Sequence, residues 1–341
     1  MNVLIIGGNR FMGVGLTWRL LAAGHRVAHF NRGSLNDAFG DRIERLRGDR
    51  TTLAFRNALG ARSFDAVVDF AAFKGSDARD AVSLLEGRVG HYILISTGQV
   101  YLVRQSCPWP AEERDYEGAL MPKPTDPLDL PEWEYGVGKR DCEDVLQSAW
   151  EKDRFPATRL RIPMVDGERD NLRRLEGYLW RIIDGGPVIV PDGGAKRVRH
   201  VYAGAVVRQI VAMLGRADTL GRAFNLSQDE MPTLPEFIGL LAELIGAPSR
   251  VVPIASDAIR AAGLDPRGVS PFSVRWMSSL DPRLAKAELG FQHEPLGEYL
   301  GRIVASFLAH APLAPPPSYA KRREEIALAA ASASRSLQSS R

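Results

Sequence analysis

Among the 341 residues of this chain, a tyrosine and a lysine four positions apart, in Tyr135-Gly136-Val137-Gly138-Lys139, are the pair best suited to moving a proton. At i and i+4 they share one helical face, so the ammonium can stabilise a phenolate and also reach a ribose hydroxyl. A free phenol with a pKa of about 10 is a poor base near neutrality. Lowering it by about three units takes roughly 4 kcal/mol of differential stabilisation, and Lys139 is the first contributor to it. The stretch His91 to Tyr101 delivers further hydroxyls, Ser96 and Thr97, to a sheet edge. A lone Tyr-x-x-x-Lys also arises by chance at solvated helix starts, so the rest of the chain must decide its meaning.

The deciding stretch is the first thirteen residues, which read as a buried strand running into a glycine-rich turn and then a helix. Val3 to Ile6 is a continuous apolar run, as in a parallel strand covered on both faces. Gly7 and Gly8 supply a tight turn with no Cβ in the way. Backbone N–H groups and the positive end of the helix that starts at Arg10, Phe11 and Met12 can therefore meet a pyrophosphate. Gly13 lets that helix pack close to the strand. A turn and a second strand follow at Gly24 to Phe30. The strand, turn and helix together make this a dinucleotide cradle rather than an ordinary tight turn, and a bound cationic nicotinamide is then the second contributor to the phenolate.

These residues need elements to position them. Strands are expected at 2–6, 26–30, 65–70 and 92–96, with a weak one at 44–47, alternating with helices at 11–23, 51–59, 76–86 and 137–151. Alternation of this kind predicts an α/β protein with a Rossmann-type, doubly wound parallel sheet and a smaller C-terminal substrate domain. Ligands of such sheets lie at the carboxyl ends of the strands, which marks Gly7 to Gly13, Asn31-Arg32-Gly33, Gly48-Asp49-Arg50, Phe70-Ala71-Ala72-Phe73 and Ser96-Thr97. After the second strand an enzyme selecting NAD usually carries an acid for the ribose hydroxyls; here Asn31 stands there, followed by Arg32. A guanidinium suits a 2′-phosphate, and Arg10 is a second cation for the same place, so NADP is the favoured cofactor. The alternative is NAD served by Asn31 alone, with both arginines solvated. Asp49 is placed either to touch the adenine or to cap the helix starting near Thr51 or Thr52.

Composition bounds the rest. The chain is 45% apolar and 25% charged, as in an ordinary globular protein, and its formal charge of +3 argues against nucleic acid. Cys107 and Cys142, the only cysteines, suit a reducing compartment and have no metal-like spacing. Six scattered histidines include no His-x-x-x-His pair, so no metal site is expected. No apolar run approaches the ~18 residues of a membrane span and the first strand leaves no room for a signal peptide, so a cytoplasmic location is expected.

With these motifs in order, the sequence resembles the extended short-chain dehydrogenase/reductase family, the NAD-dependent epimerase/dehydratase group, over roughly residues 1–310. Gly7 and Gly13 match its G-x-x-G-x-x-G, with Arg10 where the middle glycine is usual. The resemblance implies that Thr97 is the catalytic hydroxyl, and that Tyr135 and Lys139 are the catalytic tyrosine and lysine. It further matches Arg161-Ile162-Pro163, Arg199-His200-Val201, Ala223 to Ser227, and Asp281, Lys286 and Leu289-Gly290-Phe291. By the same resemblance Thr97, Gln99, Tyr135 and Arg199 meet the substrate, a nucleotide-activated sugar, and a homodimer is an open option. Dehydratases of the family carry Asp-Glu directly after the threonine, where this chain has Gly98 and Gln99. Elimination thus lacks its proton carriers.

The implied organisation is a dinucleotide-binding domain at 1–163 with a return segment at about 200–228, a substrate-binding domain at 164–199 and 229–315, and a tail at 316–341 that starts helical and then loses order. The proline-rich stretch 102–134 reads equally as a substrate lid or as a rigid excursion. The function expected is NAD(P)-dependent hydride transfer at a secondary alcohol or ketone carbon. A non-catalytic NADP-binding or RNA-binding protein, as in the chloroplast stem-loop RNA-binding branch of the family, is the alternative.

Overall fold

The computed structural model describes residues 1–339, which form two compact units. The first comprises residues 1–165, 201–227 and 278–293; the second comprises 166–200, 228–277 and the chain from Glu294 onward.

The first unit is built on a parallel sheet. In chain order its opening elements are β1 (Asn2–Ile6), α1 (Phe11–Ala22), β2 (Arg26–Asn31), β3 (Ile43–Arg47), α2 (Leu53–Leu59), β4 (Phe64–Asp69), α3 (Gly75–Leu85) and β5 (Val89–Thr97). The short α4 (Gln99–Leu102), the long α5 (Leu130–Asp153) and β6 (Ala157–Ile162) follow. The strands lie in the order Ala223–Asn225, β6, β5, β4, β1, β2, β3, and every pair is parallel. That is a Rossmann-type doubly wound sheet, and the chain order reverses beside β1, so ligand chemistry belongs at the carboxyl ends of β1, β2, β4 and β5. Burial explains why β1 is apolar from Val3 onward: Val3, Leu4 and Ile5 are inaccessible because helices cover both sheet faces.

Two details differ from the sequence reading, and a third bears on an alternative that it left open. Helix α5 starts at Leu130 rather than 137, with Pro131 in its first turn, so Tyr135 lies inside the helix and not at its opening. Residues 278–293, expected in the substrate domain, belong to the first unit, where Ala111 donates its N–H to Ser279 O at 2.9 Å. The 102–134 stretch is fastened from Val103 to Met121. Met121 N–H reaches Val103 O at 2.8 Å, Arg140 donates to Tyr116 O at 2.8 Å, and the Tyr116 hydroxyl donates to Asp144 at 2.6 Å.

The second unit packs helices Arg174–Ile183, Leu234–Ile245 and Leu296–Ala309 with a two-stranded parallel ribbon, Val188–Pro191 beside Val251–Ile254. The C-terminal stretch, expected to start helical and then lose order, is one helix over Arg322–Ser339, and residues 340–341 lie outside the described residues. Its first turn is anchored by charge: Glu325 accepts from the inaccessible Arg181 guanidinium at 2.5 and 2.9 Å, while Arg322 donates to Asp184 at 2.7 Å. Opposite charges this deeply paired satisfy one another, and removing one partner would leave an uncompensated buried charge. No helix among the described residues is long and apolar enough to cross a membrane.

Candidate active site

The glycine turn is a cradle that side chains would fill. Gly7 adopts φ 84°, and a Cβ there would meet Ala71 Cβ at 3.1 Å. A Cβ on Gly8 would stand 2.6 Å from Ile5 Cγ2, and one on Gly13 2.6 Å from the Gly8 main chain. The bare backbone thus brings Gly7 against the loop after β4, Gly8 against the ends of β1 and β2, and the first turn of α1 against Gly8, as close approach to a pyrophosphate requires. Arg10 precedes α1 as its exposed N-cap residue and uses no side-chain cap. Phe11 enters the helix at φ 42°, in the left-handed region, so backbone strain is stored at this turn. Met12 is half-buried beside it. These residues fit a dinucleotide.

At the end of β2, Asn31 is held from both ends of its amide. Its Nδ2 donates to Asn9 Oδ1 at 2.7 Å, and its Oδ1 accepts from Gly33 N–H at 2.9 Å and from the Arg47 guanidinium. Arg32 is exposed next to it. Behind them the inaccessible His29 lies 3.1 Å from Asn9 Oδ1 and 2.8 Å from Thr17 Oγ1; burial pulls its pKa down to about 4, so the ring is neutral. Asp49 spends its carboxylate on Thr51, accepting the N–H at 2.9 Å and the hydroxyl at 2.7 Å, while Thr52 caps α2. The capping role read for Asp49 thus falls to Thr52, while Asp49 closes the turn that precedes the helix.

Ala71 and Ala72 are positioned by buried ions. Asp69, at the end of β4, accepts from Ala71 N–H at 2.8 Å, from Arg50 Nη1 at 2.9 Å and from the Tyr92 hydroxyl at 2.7 Å. Asp77 takes the N–H groups of Phe73 and Lys74 at 2.8 and 3.1 Å. The loop is therefore rigid, which matters because α5 lies on it: a Cβ at Gly138 would sit 2.3 Å from Phe73 O. Gly136 plays the same part against α4, where a Cβ would meet Val103 Cγ1 at 2.6 Å and Gln99 O at 3.0 Å. The two glycines between Tyr135 and Lys139 are what let the helix approach the sheet.

Lys139 is consequently inaccessible, with Nζ donating to Ile95 O at 2.7 Å. Its ammonium lies 6.0 Å from the Tyr135 ring centroid and 5.0 Å from that of Phe73. Burial pulls its pKa below the ordinary lysine value, against the raising pull of Cys142, Asp69 and Glu143. Tyr135 is half-buried, its ring 6.3 Å from the Phe73 ring. Thr97 ends β5 half-buried and accepts from Gln99 N–H at 3.3 Å; the buried Gln99 amide donates in turn to Glu132, one turn before Tyr135. Beneath this floor, burial works against the charge of Glu143, but Arg161 at 2.6 Å outweighs it and holds the carboxyl below its usual range. Arg161 also donates to the Tyr101 hydroxyl at 2.7 Å, so the Arg-Pro segment locks α4, α5 and β6 together.

The structure therefore gathers Gly7, Gly8, Gly13, Ala71 and Ala72 at one sheet edge, with Thr97 at the end of β5, Gln99 at the start of α4, and Tyr135 and Lys139 within α5 beside them. Arg199 belongs to the second unit, where it donates to Asp229 O at 3.0 Å. Sequence reasoning marked Phe73 only as part of the segment after β4 and missed Arg47 and Glu132. Glu132 was visible at i−3 from Tyr135, and Arg47 as the last residue of the weak third strand.

A model of the NAD dependent epimerase/dehydratase family matches residues 3–227. Among characterised proteins, the chain is 26% identical over 266 residues to the chloroplast stem-loop binding protein of 41 kDa b of Arabidopsis thaliana, covering 72% of this chain and 64% of that one. It is also 26% identical over 220 residues to the 2′-dehydrokanamycin reductase of Streptomyces kanamyceticus, covering 62% of this chain and 58% of that one. In both cases the match spans less than two thirds of the relative's length. The fold is shared with the UDP-glucose 4-epimerase of Thermotoga maritima solved with UDP-glucose, at 20% identity and a TM-score of 0.70, over 91% of this chain and 99% of that one. A parallel sheet with a glycine cradle and a family model matched from the first strand to the strand at Ala223–Asn225 lead to one conclusion: the chain belongs to the NAD dependent epimerase/dehydratase family.

Proposed function

We propose that this chain is an NAD(P)-dependent oxidoreductase or epimerase acting at a secondary alcohol or ketone carbon of a nucleotide-activated sugar. The observation that carries the reading is the placement of Lys139, inaccessible, hydrogen-bonded to Ile95 O and 6.0 Å from the Tyr135 ring. An ammonium desolvated on that face favours the phenolate far more than a solvated one does. Tyr135 then exchanges the hydroxyl proton of the reacting carbon, Thr97 holds the oxygen, and Lys139 sustains the phenolate and reaches the cofactor ribose. A bound nicotinamide supplies the hydride acceptor or donor. The first unit holds the cofactor, and the second takes the substrate, with Arg199 as its cation for a diphosphate. NADP is favoured because Arg32 follows a non-acidic Asn31.

The sugar class rests on two likenesses: a relative named for reducing 2′-dehydrokanamycin and a solved neighbour that carries UDP-glucose. The stem-loop binding relative supports a second reading, RNA or NADP binding without turnover. Purified protein assayed for NADPH oxidation, for NADP reduction and, by NMR, for epimerised product across a panel of nucleotide sugars and keto-sugars separates the two. The enzyme reading expects nucleotide-dependent turnover on at least one sugar. Stem-loop RNA binding with no turnover on any would replace it.

A further inference from the structure

The end of β3 carries a cation that the sequence alone did not single out. Asn31 and Arg47 are register partners on the neighbouring parallel strands β2 and β3, so their side chains emerge side by side at the carboxyl edge of the sheet. The Arg47 guanidinium donates through Nη1 to Asn31 Oδ1. Its stem lies over Gly33, where a Cβ would stand 3.2 Å from Arg47 Cδ; at φ 74° that position also favours glycine. Asn31 in turn spends Nδ2 on Asn9 of the glycine turn and the remainder of Oδ1 on Gly33 N–H. Both polar atoms of the Asn31 amide are thus engaged within the protein, and the group that in an NAD-selective site would accept from the ribose is occupied in holding an arginine.

We infer that Arg47 and Arg32 together form a two-armed clamp for the 2′-phosphate of NADP, with Asn31 as the bracket that orients Arg47 and not as a ribose ligand. The inference rests on the cofactor reading above and goes beyond it in naming the second arm. Arg32 follows β2 directly and Arg47 closes β3, so the two exposed guanidinium groups flank the Asn31-Arg32-Gly33 turn from adjacent strand ends. A phosphate dianion has three acceptor oxygens, and two planar forks meet it where a single arginine leaves one side to water. Asp49, whose carboxyl lies below its usual range chiefly through the Thr51 hydrogen bonds and also through Arg32, partly offsets the charge on the first arm. The second arm keeps its full charge, because the group that Arg47 holds within the protein is a neutral amide.

The test is calorimetric binding of NADPH, NADH and adenosine 2′,5′-bisphosphate to wild type, Arg47→Ala, Arg47→Lys and Arg32→Ala. Removing one charge-assisted arm corresponds to about a 10- to 100-fold weaker affinity. Arg47→Ala should weaken NADPH and the bisphosphate by that factor and leave NADH within about twofold, with Arg47→Lys recovering part of the affinity because it keeps the charge without the fork. Equal weakening of NADPH and NADH would make Arg47 a loop support and overturn the clamp. No weakening of either would do the same. If wild type favours NADPH and only Arg32→Ala abolishes the preference, the cofactor reading survives and this inference falls. If wild type binds NADH as tightly as NADPH, both fall together.

Discussion

Gly138→Ala sets helix propensity against packing, and the structure decides which wins. In an unencumbered helix, exchanging glycine for alanine stabilises by about 1 kcal/mol. At 138 the new Cβ would stand 2.3 Å from Phe73 O and 3.5 Å from Phe73 C, both main-chain atoms. Phe73 is fixed by its N–H on Asp77 at 2.8 Å, so no rotamer change relieves the clash. Ordinary van der Waals contact requires α5 or the loop to retreat by roughly 1 Å. Overpacking of this kind costs about 1–3 kcal/mol, so after the propensity gain the net change is a loss of up to about 2 kcal/mol. Activity should suffer more than stability. Tyr135 and Lys139 ride on the turn that must move, and a displacement of ~1 Å corresponds to about a 10²-fold loss of rate. Gly239→Ala is the internal control: it lies in the helix Leu234–Ile245 with nothing within 4 Å of the added Cβ, and should stabilise by about 0.5–1 kcal/mol. Urea unfolding and steady-state turnover of both variants read the two effects. A Gly138→Ala protein as stable as Gly239→Ala, with wild-type turnover, would refute the claim that this glycine seats the catalytic helix.

Two further outcomes follow from buried groups and filled space. No 4,6-dehydration of a nucleotide hexose should occur, and mass spectrometry would reveal the product as a species lighter by one water. Gly98 and Gln99 offer no acid pair, and a Cβ at 98 would sit 2.5 Å from Ser278 Cβ, so Gly98→Asp cannot restore one without displacing residues 278–280. Stability should fall on acidification through His29 and His91, both depressed by burial from 6.5 to about 4. The unfolded chain takes up these protons first, so their contribution is complete above pH ~6.5 and is lost progressively as pH falls toward 4, on the order of 3 kcal/mol for each ring. Denaturant midpoints at pH 7 and pH 5 measure this, and His91→Asn should flatten the slope; an unchanged slope would mean that the ring is not buried neutral.

Much of the first unit was legible because its signals are local. Short, mainly apolar runs marked β1, β2, β4 and β5, with glycine beside β1 and β5, and strand–helix alternation allows few topologies. What escaped depends on neighbours far apart in sequence. The start of α5 at Leu130 was hidden by Pro131, which reads as a breaker yet is tolerated in a first helical turn. Residues 278–293 look like any C-terminal segment until Gly98 is seen to leave room for Ser278. The helix at Arg322–Ser339 is rich in Ala and Ser and resembles a loose tail, because its anchors, Arg181 and Asp184, lie about 140 residues earlier. Arg47 escaped for a related reason: its meaning comes from strand register, which places it beside Asn31.

The central claim is that Tyr135 exchanges the substrate proton while Lys139 tunes it. The most direct measurement is the turnover number of Tyr135→Phe beside its affinity for NADPH, on any sugar that the wild type converts. Removing only the phenolic hydroxyl should lower turnover by about 10²- to 10⁴-fold and leave cofactor affinity near wild type, whereas Lys139→Met should damage both. Full turnover in Tyr135→Phe would show that the tyrosine is structural and would contradict the mechanism proposed for this site.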